Sequence, residues 1–324
     1  MTKPIITIIG LGLTGTSIGL GLQRGENNFE LVGHDKEHSA VQTARKLSAV
    51  HRSEWNLHAA CAGADLIVLA VPLGELNDLF SHIREDLKPT CLVFPLVNVM
   101  QPAIAVAAEQ LASHSHFVVG HPVLAGVGGL LSPRADLFEE VVFGLAAGAQ
   151  TDPVAIQLAS DFVERLGAKP LFVDAQEHDG IIAGVEQLSQ VMAAALMQTN
   201  TTAPGWREAR RLAGRPFAQA TELGHSADHL FSAFQSNRAN LLQRLDQLQQ
   251  VLADWRDLLA LDASTDDKHP LRVALAQVEH DRAEWEAQAM LKRWEDLPVP
   301  TTTESHGMLR QMFFGNLMGK GNKK

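Results

Sequence analysis

Residues 4–15 read Pro4-Ile5-Ile6-Thr7-Ile8-Ile9-Gly10-Leu11-Gly12-Leu13-Thr14-Gly15, a β-branched strand that runs directly into a G-x-G-x-x-G turn. Each glycine of such a turn has a separate task. The first permits the tight turn, the second lets the backbone approach a pyrophosphate, and the third lets the next helix pack against the strand. Residues 16–22 suit that helix, whose N-terminus would offer free N–H groups and a positive dipole end to phosphates. The stretch therefore predicts the first strand, turn and helix of a dinucleotide-binding domain.

An acidic residue after the second apolar run indicates which dinucleotide is bound. Asp35 follows the run 29–34 and lies roughly 25 residues beyond Gly10, near the spacing of an acid that binds the ribose 2′-OH. A carboxylate there favours NAD and repels the 2′-phosphate of NADP, although Lys36 and His38 could meet a phosphate and leave NADP open. The alternative is a strand–turn–helix whose glycines serve packing alone. Strand, glycines, helix and acid together favour the dinucleotide.

The composition narrows the class of protein and of partner. With 324 residues, 46 % of them hydrophobic and 20 % charged, the chain suits a soluble protein of about two domains. A net charge of −10 disfavours nucleic acid and anionic membranes as partners. The apolar residues 4–22 lack the basic region of a signal peptide, and no long uninterrupted apolar run predicts a transmembrane helix. Cys61 and Cys91 have no metal-ligand spacing, so we predict reduced thiols, no metal and a cytoplasmic protein.

The pattern of apolar residues along the chain changes near residue 175. Before that point, apolar strand-like runs alternate with helical stretches, which predicts a parallel sheet covered by helices. The runs are 64–72, 91–97, 116–120, 140–146 and 170–173. Beyond it only helical periodicity remains, over 177–200, 227–259 and 270–293. We predict an α/β fold with an N-terminal Rossmann-type parallel sheet (1–175), followed by an all-helical C-terminal substrate and dimerisation domain (176–324). Its long apolar helices suit the core of a homodimer.

Two groups of polar residues suggest chemistry. His121 follows the run 116–120, at the strand end that faces the ligand crevice in this fold. An imidazole there can remove a hydroxyl proton while hydride leaves the same carbon, or it can simply hydrogen-bond the backbone of a loop. Arg207, Arg210 and Arg211 would share one face of a helix. Such a face can hold the carboxylate of a small anionic substrate, although the pattern taken alone favours a solvated basic face.

Several motifs together resemble the prephenate/arogenate dehydrogenase family of tyrosine biosynthesis. The similarity covers roughly residues 5–250 and includes residues 10–19, Ala70-Val71-Pro72, Gly120-His121-Pro122, Ala135-Asp136-Leu137-Phe138, Glu177-His178-Asp179 and Trp206-Arg207-Glu208-x-x-Arg211. The resemblance implies a Rossmann domain, a helical dimerisation domain and an active site between them. It also implies oxidative decarboxylation of prephenate or arogenate, with hydride transfer to NAD⁺.

The resemblance assigns roles to single residues. His121 matches the catalytic histidine that bonds the ring hydroxyl of the substrate. Arg211 matches the arginine that binds a substrate carboxylate, a role that Arg207, Arg210 or Arg215 could share. The cofactor-binding positions are Gly10, Leu11, Gly12, Leu13, Thr14, Gly15, Asp35, Val71 and Pro72.

The chain also departs from the family pattern. The family's Asp-x-x-Ser-x-Lys corresponds to residues 95–100, where Asn98 and Met100 replace the serine and the lysine. Asn98, which we keep as a catalytic position, can hydrogen-bond but cannot relay a proton. The family's Ser-His-Leu-Pro-His becomes 186–190, with Glu186 at its start and Gln187 and Gln190 at the two substrate-binding histidine positions. The family's glutamate after His-Pro has no match, because residues 126–129 form a Gly-Val-Gly-Gly loop.

Two further hypotheses follow from these departures. The replacement of the serine and both histidines suggests an NAD-binding family member that has lost catalysis. The carboxylate of Glu186 suggests instead a dehydrogenase that acts on a different small substrate.

Overall fold

The computed structural model describes residues 3–25, 28–124, 132–262 and 265–291. The described residues form two compact units, one up to Asn237 and one from Arg238 onward. The predicted boundary between residues 175 and 176 stays a prediction.

The first unit contains every strand and the first eleven helices of the described chain. The strands are β1 (Ile5–Ile9), β2 (Glu30–His34), β3 (Arg52–Ser53), β4 (Leu66–Leu69), β5 (Leu92–Pro95), β6 (Val118–Pro122), β7 (Val142–Ala147) and β8 (Lys169–Phe172). The helices are α1 (Leu13–Leu22), α2 (His38–Lys46), α3 (Leu57–Cys61), α4 (Leu76–Ile83), α5 (Met100–Gln110), α6 (Pro153–Arg165), α7 (Ala175–Ile182), α8 (Leu188–Thr201), α9 (Trp206–Ala209), α10 (Arg215–Ala220) and α11 (Ala227–Ser236).

Five strands form the parallel sheet that the sequence predicts. Their order is β3-β2-β1-β4-β5, with β1 paired to β2 and to β4 in parallel register. All four residues of β4 and of β5 are buried, as expected of strands covered on both faces. The order reverses at β1, so the carboxyl ends of β1 and β4 flank the crevice where such sheets bind ligands. The α/β fold class is confirmed.

The last three strands depart from the purely parallel pattern. They form a second sheet in the order β6-β7-β8, in which β6 and β7 are antiparallel. Single parallel bridges, Val93↔Phe117 and Leu96↔Gly120, join β5 to β6 and extend the first sheet into the second. An apolar strand carries no signal of its direction when both of its faces are buried, which is why the sequence did not reveal this reversal.

The two faces of the sheet are covered by separate apolar clusters. One contains Ile8, Ile18 and Phe94 and extends to Phe143 and Phe162. The other packs β4 and β5 against α4 and α5 through side chains such as Phe80, Val93 and Met100. These clusters fix the positions of the strand ends, where the candidate site lies.

A continuous helical run follows β8. It consists of α7, a π-helical segment (Ala183–Gln187) and α8. The run Ala175–Thr201 has the length and composition of a membrane-spanning helix, whereas the sequence predicts no transmembrane helix. Core helices of soluble proteins pass the same test, and this run contributes several buried polar side chains to the site described below. The prediction that the chain has no membrane partner stays a prediction.

The second unit contains the long helices α12 (Arg238–Ala260) and α13 (Pro270–Leu291). The sequence predicted one pattern over 227–259, whereas the structure divides it into α11 and α12. Apolar side chains are exposed on both long helices, among them Leu252 and Leu259 on α12 and Leu275 and Val278 on α13.

Candidate active site

The three glycines of the first turn meet three different surroundings. Gly10 has φ +90°, and a Cβ there would lie 2.3 Å from the carbonyl oxygen of Ala70. A Cβ at Gly15 would lie 1.9 Å from the carbonyl oxygen of Gly10. A Cβ at Gly12 would meet no atom within 4 Å. The protein itself therefore requires Gly10 and Gly15, whereas Gly12 leaves open space at the N-terminus of α1.

That open space suits the phosphates of a dinucleotide. Gly12 is the N-cap of α1, and no side chain caps the helix there. The free N–H groups and the positive end of the ten-residue helix can therefore receive an anion. Leu11 is buried, while Leu13 and Thr14 are only partly buried beside the opening.

Asp35 ties the end of β2 to the glycine turn. Its Oδ2 accepts a hydrogen bond from Leu11 N (2.6 Å), and its Oδ1 accepts one from Glu37 N (2.7 Å). The neighbouring Lys36 pairs with Glu75, with Nζ and Oε1 2.6 Å apart, and this hydrogen bond raises the pKa of Lys36. One of the two residues that could meet a 2′-phosphate is thus engaged by a carboxylate, which favours NAD.

Val71 and Pro72 follow β4 and complete this edge of the site. A Cβ at Gly10 would approach Val71 Cγ1 to 3.1 Å, so Val71 borders the glycine turn. Val71 is partly buried and Pro72 is exposed. The predicted cofactor-binding positions thus come together at the carboxyl ends of β1, β2 and β4, and their open cradle fits a dinucleotide.

His121 lies at the carboxyl end of β6 and is only 8 % exposed. Val97 N donates to Gly120 O (2.9 Å), so the segment that carries Asn98 runs beside His121. The two rings of His121 and His178 are perpendicular, and His121 Nδ1 lies 3.0 Å from His178 Nε2. Burial, followed by the nearby His178, lowers the pKa of His121 to about 3. His121 is therefore a neutral imidazole near neutral pH.

His178 and Asp179 extend this contact into the protein. His178 Nδ1 lies 3.1 Å from Asp179 Oδ1, and both side chains are more than nine-tenths buried. The Asp179 carboxylate also accepts hydrogen bonds from Met100 N (2.7 Å) and Gln101 N (2.9 Å) at the start of α5. A line of contacts thus connects His121 through His178 and Asp179 to a helix N-terminus.

Asn98 contacts the π-helical segment. Its Nδ2 donates to Glu186 Oε1 over 2.7 Å, and both residues are partly exposed. A π-helical turn widens the helix locally and is frequent at functional sites. The structure thus brings together two of the residues at which this chain departs from the family pattern.

The two glutamines of the departing motif have different surroundings. Gln187 is fully buried, and its amide is engaged at both ends, with Nε2 donating to Ala233 O (3.2 Å) and Oε1 accepting from Asn237 (2.9 Å). Gln190 is 9 % exposed, and its buried Oε1 has no hydrogen-bond partner among the described residues. An unsatisfied buried acceptor is costly, and a ligand that donates a hydrogen bond would satisfy it.

The arginines lie on a short, exposed turn. Helix α9 ends at Ala209, so Arg207 lies within it and Arg211 lies beyond it, and both side chains are exposed. The longer helix that would align the arginines on one face is therefore not formed. Among the described residues, no hydrogen bond or ion pair engages the Arg211 side chain, which leaves its guanidinium available to a carboxylate.

The sequence alone assigns no role to His178 or Asp179, although Glu177-His178-Asp179 is part of the family resemblance. The available signal was a His-Asp pair in the first turn of the helix after the last strand. Within the described ranges, no group of three or more His, Cys, Asp and Glu side chains could hold a metal ion, and the absence of a metal stays a prediction. The loop 126–129, where the family's glutamate has no match, lies outside the described residues.

The fold and the glycine cradle define a nucleotide-binding protein of the Rossmann class. Two family models match the chain: "Prephenate dehydrogenase, nucleotide-binding domain" over residues 18–171 and "Prephenate dehydrogenase, dimerization domain" over residues 174–276. The chain belongs to the prephenate dehydrogenase family. It is accordingly a dehydrogenase with NAD as its cofactor, and it carries a dimerisation domain.

Curated relatives agree with this assignment. The prephenate dehydrogenase of Lactococcus lactis subsp. cremoris is 29 % identical over 254 residues, which are 76 % of this chain and 69 % of that protein. The cyclohexadienyl dehydrogenase of Zymomonas mobilis is 26 % identical over 296 residues, which are 90 % of this chain and 97 % of that protein.

Solved structures share the fold. Prephenate dehydrogenase from A. aeolicus, determined with hydroxyphenyl propionate and NAD⁺, superposes with a TM-score of 0.78 at 18 % identity and covers 88 % of this chain and 99 % of that one. Arogenate dehydrogenase from Synechocystis gives a TM-score of 0.69 at 23 % identity and covers 87 % of this chain and 99 % of that one.

Proposed function

We propose that this chain catalyses the NAD-dependent oxidative decarboxylation of a cyclohexadienyl acid, either prephenate or arogenate. The observation that carries the proposal is a neutral, nearly buried His121 at the carboxyl end of β6. Its Nδ1 contacts His178, whereas its Nε2 makes no hydrogen bond with the described residues. A neutral imidazole with one free nitrogen is the group that such a reaction needs as a base.

The residues of the site divide the work of the reaction. His121 accepts the proton of the ring hydroxyl, and NAD⁺, when bound, supplies the hydride acceptor. Removal of the hydroxyl proton favours departure of hydride from the same carbon, and loss of carbon dioxide then makes the ring aromatic. Asn98, on the segment that runs beside His121, borders the substrate. Arg211, with Arg207 nearby in the sequence, binds a substrate carboxylate.

The proposed cofactor contacts follow the geometry of the cradle. Residues 10–15 and the N-terminus of α1 receive the pyrophosphate, Asp35 meets the ribose diol, and Val71 and Pro72 border the bound dinucleotide. Asp35 already accepts two backbone hydrogen bonds, and its carboxylate has further lone pairs for the ribose hydroxyls.

Glu186 and Gln190 favour arogenate as the substrate. Arogenate differs from prephenate in carrying an ammonium group, which an ionised carboxylate and an unsatisfied amide oxygen can both accept. The two residues lie about one helical turn apart on the run that carries the π segment. The second candidate substrate is prephenate, and for it Glu186 would be an unfavourable neighbour. Gln187 supports the pocket, because its amide group hydrogen-bonds Ala233 and Asn237. Its contact with the substrate stays a prediction.

We extend the proposal to the assembly and the compartment. The match to a dimerisation domain and the exposed apolar side chains of α12 and α13 support a homodimer. Two free, buried cysteines, each with its pKa raised to about 12 by burial, suit a reducing cytoplasm because neither is reactive.

The test is an assay of the purified protein with NAD⁺ and either prephenate or arogenate, in which NADH formation is followed. We expect turnover, with the higher kcat/KM for arogenate. His121→Asn should lower kcat by about 10²- to 10⁴-fold, because general-base catalysis contributes that much. NAD affinity, measured by calorimetry, should be unchanged.

Each other outcome contradicts a stated part of the proposal. Equal rates for His121→Asn and the parent protein would remove His121 from the mechanism. NAD binding without turnover of either acid would mean that the family member has lost this catalysis or uses a different small substrate. A preference for prephenate would contradict the role given to Glu186.

A further inference from the structure

Behind His121 lies a buried pair whose role in the reaction follows from its geometry. We propose that His178, supported by Asp179, is a positioning residue: it holds His121 as the Nδ1–H tautomer and takes over that proton when His121 accepts one from the substrate. This inference rests on the proposed role of His121 as the base.

The hydrogen-bond partners determine the direction of each bond in the line. An ionised carboxylate can only accept, so the 3.1 Å contact with Asp179 requires a proton on His178 Nδ1. A neutral His178 then has a lone pair on Nε2, which accepts from His121 Nδ1–H over 3.0 Å. His121 is left with its lone pair on Nε2. The residue behind the base thus selects which nitrogen is basic.

The surroundings of Asp179 stabilise a negative charge on its carboxylate. Met100 N and Gln101 N donate to its two carboxylate oxygens at the N-terminus of α5, an eleven-residue helix. The positive end of the helix dipole and two charge-assisted hydrogen bonds favour an anion there. Asn237 Nδ2 also donates to the Asp179 carbonyl oxygen over 2.8 Å, which fixes the backbone of this residue.

The same arrangement avoids a positive charge on the buried His121 during the reaction. Burial makes a positive charge on His121 costly, as its lowered pKa shows. If the substrate hydroxyl gives its proton to His121 Nε2 while His121 Nδ1 gives its own to His178 Nε2, then His121 stays neutral. The positive charge then rests on His178, next to the Asp179 carboxylate. One O–H and one N–H bond break, two N–H bonds form, and the proton leaves to water after product release.

Among the described residues, no charged side chain other than Asp179 hydrogen-bonds or pairs with His121 or His178. Glu186, on the π segment, donates no proton and is engaged by Asn98. A Cβ at Gly144 on β7 would lie 3.8 Å from His178 Cδ2, so the glycine at this position places no side chain against the imidazole. Asp179 is therefore the carboxylate in direct contact with His178.

The experiment compares two substitutions at the same position. In His178→Gln, an amide oxygen can still accept from His121 Nδ1–H but cannot take the proton, whereas His178→Phe removes the acceptor. We expect kcat to fall about 10- to 100-fold in His178→Gln and further in His178→Phe. KM and NAD affinity should stay within about twofold of the parent values. The matched control is His114→Gln, because His114 is a partly buried histidine that bonds Cys91 O at the opposite ends of the strands.

A second measurement needs no active variant. In ¹⁵N-histidine spectra of the parent protein, assigned by the loss of signals in His121→Asn and His178→Gln, we expect His121 and His178 each to carry a proton on Nδ1. His121 should become a mixture of tautomers in His178→Phe. A proton on His121 Nε2 alone in the parent protein would overturn the inference.

The kinetic outcomes separate this inference from the proposed function. If His121→Asn loses activity while both His178 variants keep kcat within twofold, the relay is wrong and the function stands. If His121→Asn keeps full activity, His121 is not the base and both proposals fail. A loss confined to KM in the His178 variants would also overturn the relay, because it would show a role in binding alone.

Discussion

At the residue scale, glycine serves two distinct purposes in the G-x-G-x-x-G turn from β1 into α1. Gly10 and Gly15 are required by contacts within the protein, since a Cβ at either would collide with a carbonyl oxygen. Gly12 has an ordinary φ of −70° and open space around it. The protein alone would accept a side chain at this position. The physical reason for glycine is therefore the close approach of the dinucleotide pyrophosphate.

Gly12→Ala therefore separates folding from binding. We expect its Tm to fall by no more than about 4 °C, because glycine is preferred over alanine at an N-cap by roughly 1 kcal/mol. NAD affinity should fall by at least tenfold, because the methyl group occupies the approach of the pyrophosphate. Thermal unfolding and calorimetric titration with NAD⁺ measure the two effects.

Gly15→Ala is the matched contrast. Its Cβ would lie 1.9 Å from the Gly10 carbonyl oxygen, so we expect a strongly destabilised or insoluble protein. If Gly12→Ala bound NAD as tightly as the parent protein, the pyrophosphate would not lie over Gly12.

At the element scale, the site depends on how two helices begin. The N-cap of helix α7 is Asp174, whose Oδ1 accepts from Gln176 N and Glu177 N, both at 2.9 Å. Four and five residues later the same helix presents His178 and Asp179, and Asp179 in turn caps α5. The N-terminal cap of one helix thus fixes the residues that form the cap of another.

Asp174→Ala tests this dependence. We expect the free energy of unfolding to fall by about 1 kcal/mol, the usual cost of losing an N-cap, and kcat to fall several-fold as the first turn of α7 loosens around His178. Asp152→Ala provides the control, because Asp152 caps α6 through Val154 N over 2.8 Å and no site residue lies on α6. It should lose similar stability and keep its kcat. Equal kcat for both variants would show that the α7 cap does not position the site.

Sequence periodicity predicted these helices but not their local form. The stretch 177–200 carries small and apolar residues at helical spacing, and nothing in it distinguishes an α-helical turn from the π-helical turn at Ala183–Gln187. That extra residue in the turn accompanies the contact of Glu186 with Asn98. The arginine cluster was assigned to one helical face, but α9 ends after four residues, since tertiary context overrides the local spacing of a short run.

At the scale of the whole molecule, the exposed apolar helices bear on the number of subunits. Long helices that expose apolar side chains, in a chain that carries a dimerisation domain, are typical of a homodimer. On α12, Leu252 and Leu259 lie seven residues apart on one face, 49 % and 67 % exposed.

The double substitution Leu252→Glu and Leu259→Glu should convert a dimer into a monomer, because it places four charged oxygens on an apolar face. Sedimentation equilibrium measures the mass directly. The control is Gln243→Glu with Gln250→Glu, which has the same seven-residue spacing on exposed polar positions of the opposite face of α12 and adds the same negative charge. A monomeric parent protein would contradict the proposed homodimer. A dimer that survives the leucine substitutions would place its interface elsewhere than this face.

The sequence by itself determined the Rossmann-type fold, the glycine cradle, the acid at the end of β2 and His121 after β6. These features are local, because a strand, its turn and the following helix lie next to one another along the chain. Only the tertiary structure decided that β7 runs antiparallel, that Gln187 uses its amide internally, and that His121, His178 and Asp179 form one line. His121 and His178 are 57 positions apart, and Met100 and Asp179 are 79 apart. No periodicity encodes such a contact, which exists only after the strands and helices have packed.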